Sequence, residues 1–326
     1  MNTVTGLSPT NPLERRFAAL RQRGGKALIT FVPAGDPHLE ATRDLLNLLA
    51  HNGADVIEIG LPYSDPIADG PLIQGAYTRA LSRGIHVRDV FELVRSWSAS
   101  PALSARRLLE PGSIADLQET TSQMSLSETS EGRPQESRGA SPQASVVTVP
   151  LVAMASYSLI YRQTERRFVE QCVASGISGV IVPDLPAEEA SSLAALCHQH
   201  DLALIQLVAP TTPLPRARDI VSRCTGFVYC VSVVGITGVR DHLPEELRQR
   251  LQTLRTLTKL PLCVGFGISR PEHVQMIKPY ADGIIVGSAL VSRLAEAANR
   301  PWEEVSLSIG QLLGQLRQAL DEQPTS

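Results

Sequence analysis

Glu58 lies inside the apolar run Asp55-Val56-Ile57-Glu58-Ile59, which leads into the loop Gly60-Leu61-Pro62-Tyr63-Ser64-Asp65-Pro66-Ile67-Ala68-Asp69-Gly70-Pro71. An ionised carboxylate among β-branched residues is costly unless it is paired, neutralised or used. Local pairing is not available, because no Lys or Arg occurs between Arg43 and Arg79. Glu58 is therefore a candidate general acid/base. Two further carboxylates, Asp65 and Asp69, sit in the loop, where Pro62, Pro66 and Pro71 restrict the backbone that carries them. Asp65 before a proline reads first as a turn former or a docking residue, and Asp69 before Gly70 also suits a turn.

The elements that must position these groups alternate along the chain. Asn11 and Pro12 open an amphipathic helix over Leu13–Arg23, and a strand follows over Ala27–Val32. Leu39–Asn52 has helical spacing and is closed by Gly53; the Glu58 strand comes next, then helices over Leu72–Arg83 and Val87–Trp97. Further strands are predicted at Val146–Ala155, Gly179–Val182, Ala203–Val208, Phe227–Ser232, Leu262–Phe266 and Asp282–Val286. The helices between them are Thr164–Ser175, Glu188–His200, Leu214–Arg223, Pro244–Leu257 and Pro271–Lys278, and short then long helices run on to Leu320. Eight strands, each followed by helix, close a parallel α/β barrel, the (β/α)8 or TIM barrel, here with one extra helix at its N-terminus.

Residues 101–145 interrupt this pattern. They are dominated by Ser, Thr, Glu, Gln, Pro and Gly, with too little apolar surface to offset the entropy of ordering. They read as a flexible polar insertion before the third strand, at the N-terminal face of a single barrel domain spanning 1–326; a regulatory or docking element is the alternative. The remaining composition excludes other classes. With 30 basic and 33 acidic residues and a net charge of −3, the chain has no basic patch for nucleic acid. No apolar run is long enough to span a bilayer, and Met1–Pro12 lacks a signal pattern, so a cytoplasmic location is expected. The five cysteines, Cys172, Cys197, Cys224, Cys230 and Cys263, have no metal-type spacing and read as reduced core residues.

In a barrel of this kind the chemistry sits at the C-terminal strand ends. None of the three lysines, Lys26, Lys259 and Lys278, is predicted there, which argues against a Schiff base. The seven histidines form no convergent strand-end set, and Asp65 with Asp69 offers too few oxygens for Mg²⁺, so no metal is expected. Acid–base work by Glu58 is what remains. Glycine-rich segments close the last three strands: Gly235-Ile236-Thr237-Gly238, Gly265-Phe266-Gly267-Ile268-Ser269, and Gly287-Ser288 at the start of a short helix. Bare N–H groups and a helix N-terminus at that place suit a phosphate, although each motif alone also serves a tight turn.

Taken together, Phe31-Val32-Pro33-Ala34-Gly35-Asp36-Pro37, the string Glu58 to Pro71, Val182-Pro183-Asp184-Leu185-Pro186, Gly235 to Gly238 and Gly265 to Ser269 resemble the tryptophan synthase α subunit. The resemblance covers nearly the whole chain outside the insertion. It implies retro-aldol cleavage of indole-3-glycerol phosphate to indole and glyceraldehyde 3-phosphate. In that reading Glu58 delivers a proton to indole C3, and Asp69 holds the indole N–H and stabilises the charge developing there. Phe31 and Tyr229 stand near the indole, although an aromatic on a barrel strand is by default core packing. Gly238, Gly267, Gly287 and Ser288 match phosphate-binding positions, and Thr237 matches a residue of a lid, Val234 to His242, that closes onto Asp69.

The resemblance also implies a partner, the β subunit, in an α2β2 heterotetramer. It implies no cofactor on this chain and pyridoxal phosphate on the partner. The Asp65-Pro66 loop, Ser158 and Asp184 are expected to face that subunit. The sequence departs from the family at Ser156-Tyr157-Ser158-Leu159, where Tyr-Tyr-Asn-Pro is common, and at Val233, where some members carry arginine. These changes bear on docking and inter-subunit signalling more than on cleavage. Two alternatives stand beside the main reading: a stand-alone lyase releasing free indole, and a non-catalytic barrel that activates or binds a partner.

Overall fold

A computed structural model of the chain describes residues 10–66, 69–100, 105–106, 147–232, 243–265 and 267–322. Eight parallel strands close a barrel in the order β1-β10-β9-β8-β7-β6-β5-β2. They are β1 (Ala27–Pro33), β2 (Val56–Gly60), β5 (Leu151–Met154), β6 (Ile177–Ile181), β7 (Ala203–Val208), β8 (Val228–Val231), β9 (Leu262–Gly265) and β10 (Gly283–Val286). The strands are buried on both faces, and their side chains divide between two clusters. Ile57 and Ile59 point outward to pack with Leu45, Leu46 and Leu49 of the covering helix Leu39–His51. Val56 points inward with Ile29, Phe31, Val152, Ile205, Tyr229 and Ile285. The period of two along a strand therefore places Glu58 on the inner face.

The N-terminal helix α1 (Pro12–Gln22) seals the floor of the barrel. Asn11 caps it by accepting from the Leu13 amide at 2.9 Å, and its own amide group donates to the carbonyls of Ser178 and Asp201. Leu13, Phe17 and Leu20, spaced at i, i+4 and i+7, enter the inner cluster, with the Phe17 and Phe227 rings 5.6 Å apart. Above the floor the strand register aligns Phe31 with Glu58, and Glu58 with Val152.

Three sequence expectations need correction. The strand expected over Val146–Ala155 is two elements, because Pro150 has no N–H to continue a ladder. Val147–Thr148 (β4) pairs antiparallel with Ala105–Arg106 (β3), and only Leu151–Met154 enters the barrel. Ala105–Arg106 in turn places a strand within 101–145, where none was expected; residues 107–146 lie outside the described residues. A helix over Tyr157–Gln163 was missed. Ser156 caps it by accepting from the Leu159 amide, and Thr164 then caps the next helix, Glu165–Ala174.

Candidate active site

Glu58 is fully buried, and neither of its carboxyl oxygens has a hydrogen-bond partner among the described residues. Desolvation raises its pKa from the usual 4.5 to about 8, so the group is protonated at neutral pH. A buried acid held neutral by its surroundings and turned toward a barrel interior is poised to give a proton, not to balance a charge.

Aromatic rings surround it, and glycines make the room. A Cβ on Gly60, two residues beyond Glu58, would lie 2.8 Å from the Phe31 Cζ atom and would also strike the Tyr77 hydroxyl. A Cβ on Gly265 would lie 2.5 Å from the Tyr229 hydroxyl. Tyr77 is fully buried, and its hydroxyl has no partner among the described residues. Burial drives the Tyr77 and Tyr229 phenols well above their ordinary range. The carboxyl groups of Glu58 and Asp69, when ionised, push both the same way, so each carboxyl lies near both rings.

Asp69 sits in the loop between β2 and α3 (Pro71–Ser82). Its Oδ2 accepts from the Tyr63 hydroxyl at 2.7 Å. The loop is pinned from the helix: Gln74 Nε2 donates to the carbonyls of Pro66 at 3.1 Å and Asp69 at 2.8 Å. Burial raises the Asp69 pKa, the Tyr63 hydrogen bond lowers it, and the negative charge of Asp184 raises it. Arg79, on the same helix, grips Asp36 in the loop after β1 with two bonds of 2.9 and 2.7 Å.

Across the mouth, β10 ends at Val286, and Gly287 caps the helix Ser288–Ala295. The Leu290 and Val291 amides bond the Gly287 carbonyl, and the first-turn N–H groups of Ser288 and Ala289 have no acceptor within the helix. Gly267, after β9, has φ +79°, a left-handed conformation suited to glycine. The Phe31 side chain lies between the two ends of the site. A Cβ on Gly287 would be 3.5 Å from Phe31 Cβ, while the Phe31 ring closes on Gly60. The arrangement brings a protonated carboxyl group, a second carboxylate and buried aromatic rings to one end of the barrel.

A profile of the family described as tryptophan synthase alpha chain matches residues 17–102 and 139–320, leaving out only part of the polar insertion between them. The chain belongs to the tryptophan synthase alpha chain family. It is 40% identical over 307 residues to the tryptophan synthase alpha chain of Rippkaea orientalis, covering 94% of this chain and 97% of that protein. The crystal structure of tryptophan synthase subunit alpha from Legionella pneumophila superposes with a TM-score of 0.74 at 31% identity. That match covers 96% of this chain and 99% of the other. A chain of the tryptophan synthase complex from Pyrococcus furiosus is 29% identical with a TM-score of 0.68, over 90% and 98% of the two chains.

Among the residues singled out from the sequence of this alpha-chain family member, Glu58, Asp69, Phe31, Tyr229, Gly267, Gly287 and Ser288 come to the C-terminal end of the barrel. Thr237, Gly238 and the lid segment lie outside the described residues. Asp65, Ser158 and Asp184 are exposed around the same end, and Pro66 is half-buried beside them. Asp184 Oδ1 accepts from the Tyr157 amide at 2.8 Å, so one carboxylate touches both the missed helix and the electrostatics of Asp69. Sequence reasoning passed over Tyr63, Gln74, Tyr77 and the Arg79–Asp36 pair. The one signal available was their clustering within a turn or two of the Asp69 loop. Among the described residues, no group of three or more His, Cys, Asp or Glu is placed to hold a metal ion. No described helix is long and apolar enough to cross a membrane.

Proposed function

We propose that Glu58 and Asp69 divide the work of cleaving indole-3-glycerol phosphate, the lyase reaction of the tryptophan synthase α subunit. The observation that carries this reading is the buried and protonated Glu58, without a hydrogen-bond partner among the described residues, facing the space shared with Asp69. Glu58 gives its proton to indole C3, which leaves the ring as an iminium with its positive charge at the nitrogen. Asp69, as a carboxylate, accepts the ring N–H and stabilises that charge. The bond from C3 to the glycerol chain then breaks. Its electron pair returns to the ring and neutralises the nitrogen, while the carbinol carbon becomes the aldehyde of glyceraldehyde 3-phosphate. The carbinol proton passes to the Glu58 carboxylate left by the first step, which restores the starting state. Phe31 and Tyr229 wall the indole slot. Gly267, Gly287 and Ser288 offer backbone N–H groups to the phosphate, joined by Gly238, while Thr237 of the lid closes onto Asp69.

The exposed Asp65, Ser158 and Asp184, with the half-buried Pro66, ring the mouth through which indole would leave, and they form the proposed face for a β subunit that carries pyridoxal phosphate. An α2β2 assembly is the expected stoichiometry, in a cytoplasmic enzyme whose 1–326 chain is one barrel domain with 101–145 inserted. This rests on membership of a family that includes a chain of the Pyrococcus furiosus complex. Indole release from indole-3-glycerol phosphate is the deciding measurement, with and without added β subunit. Glu58→Gln should lower kcat by roughly 10²- to 10⁴-fold. Turnover retained in that variant overturns the assignment, and strong turnover indifferent to the β subunit favours a stand-alone lyase.

A further inference from the structure

We propose that Tyr63 is a positioning residue for Asp69, fixing one carboxylate oxygen so that the other is presented to the ring N–H of the substrate. The inference rests on the role given to Asp69 above and adds a group that this role does not name. The Tyr63 hydroxyl donates to Asp69 Oδ2 at 2.7 Å. The Tyr63 ring is itself held, with its centroid 5.3 Å from that of the buried Tyr77. Tyr77 belongs to α3, and the same helix holds the Asp69 carbonyl through Gln74. The carboxylate is thus gripped at its side chain by Tyr63 and at its backbone by Gln74, which removes rotation about its terminal bond as a freedom to be lost on binding.

The hydrogen bond also has an electrostatic consequence. Asp69 must be ionised to stabilise a positive ring nitrogen, yet burial and the charge of Asp184 both favour its neutral form. The groups facing it are Tyr63 from its own loop, Tyr77 from α3, Tyr229 from β8, Asp184 from the loop after β6 and the protonated Glu58 from β2. None of these carries a positive charge, and among the described residues Tyr63 alone donates a hydrogen bond to the Asp69 carboxylate. The Tyr63 hydrogen bond therefore favours the charged carboxylate against burial and the charge of Asp184.

The test is Tyr63→Phe, which keeps the ring against Tyr77 and deletes only the donor, in the complex with the β subunit. The kcat/KM for indole-3-glycerol phosphate should fall roughly tenfold. The acid limb of its pH profile should move to higher pH. A double-mutant cycle separates positioning from bulk effects. In an Asp69→Asn background the same Tyr63→Phe change should alter kcat/KM by less than about twofold. An unmoved acid limb, or an equal loss in the Asp69→Asn background, overturns the proposal. Two further measurements cover the remaining cases. A carbon-13 titration of the Asp69 carboxyl, with and without the Tyr63 hydroxyl, reads the same shift without any turnover. Failure of the cleavage reading therefore leaves this inference separately decidable. If Tyr63→Phe melts far below the native protein, 3-fluorotyrosine at position 63, a stronger donor of nearly the same shape, should move the limb to lower pH; no movement there also refutes the idea.

Discussion

A carboxyl group whose pKa stands near 8 in the folded chain and 4.5 when unfolded links catalysis to stability through one titration. Between those values the folded chain keeps a proton that the unfolded chain has released. The stabilising contribution is complete below about pH 4.5 and is lost as pH rises through about 8. The full effect is on the order of 5 kcal/mol. Glu58→Gln has nearly the same shape and cannot ionise, so it escapes this loss. Urea midpoints of the native protein and Glu58→Gln should lie close together at pH 5 and separate by pH 8.5, with the variant the more stable. Midpoints that run parallel across that range would show that Glu58 is not held protonated. Activity should follow the same titration: kcat/KM of the native enzyme declines above about pH 8, as the acid that protonates C3 is lost.

The helix α3 organises the site more than any strand does. Its residues Gln74, Tyr77 and Arg79 reach three different places: the Asp69 loop, the space beneath Gly60 and the loop after β1. Pro71 at its first turn and the Gly70 cap set where the helix begins, and so fix the height at which Gln74 meets the loop. Gln74→Ala frees the carbonyls of Pro66 and Asp69 but buries nothing new. It should cost stability only about 1 kcal/mol. The Asp69 loop becomes free to wander, and a misplacement on the order of 1 Å lowers kcat/KM roughly a hundredfold. Thermal melting together with steady-state kinetics separates the two effects, and a parallel loss of both would reduce Gln74 to an ordinary structural residue. This division also marks what the sequence reveals. Glu58 is legible because it breaks an apolar run with no base nearby, and the eight strands are legible from alternation. The Tyr63–Asp69 bond and the Gln74 clamp depend on how a proline-rich loop folds back on its own helix, and no periodicity encodes that. The helix Tyr157–Gln163 was equally hidden: at seven residues it is too short for a repeating apolar face, and only the Ser156 cap announces it.

At the scale of the whole molecule, the barrel separates a costly polar site at one end from a charged clasp at the other. Asp55, fully buried just before β2, accepts from Arg16 of α1 at 2.5 Å, from Arg317 of the C-terminal helix Trp302–Asp321 at 2.8 Å, and from the Leu28 amide of β1 at 2.8 Å. One side chain thereby ties the first helix, the last helix and the strand pair that carries Phe31 and Glu58. Asp55→Ala leaves two largely buried guanidinium groups facing an empty place, which should cost about 3–5 kcal/mol. For a chain of this size the melting temperature should drop by roughly 10 °C. Asp55→Asn keeps an acceptor for the Leu28 amide and loses only the charge, so it should fall between the two. The substitution lies before β2, whereas Asp69 and Ser288 lie beyond the far strand ends. Well below the melting temperature, kcat and KM of Asp55→Asn should therefore equal those of the native enzyme. A variant that loses turnover while keeping its melting temperature would mean that the floor and the mouth are coupled through β2, and the independence of the two ends would have to be given up.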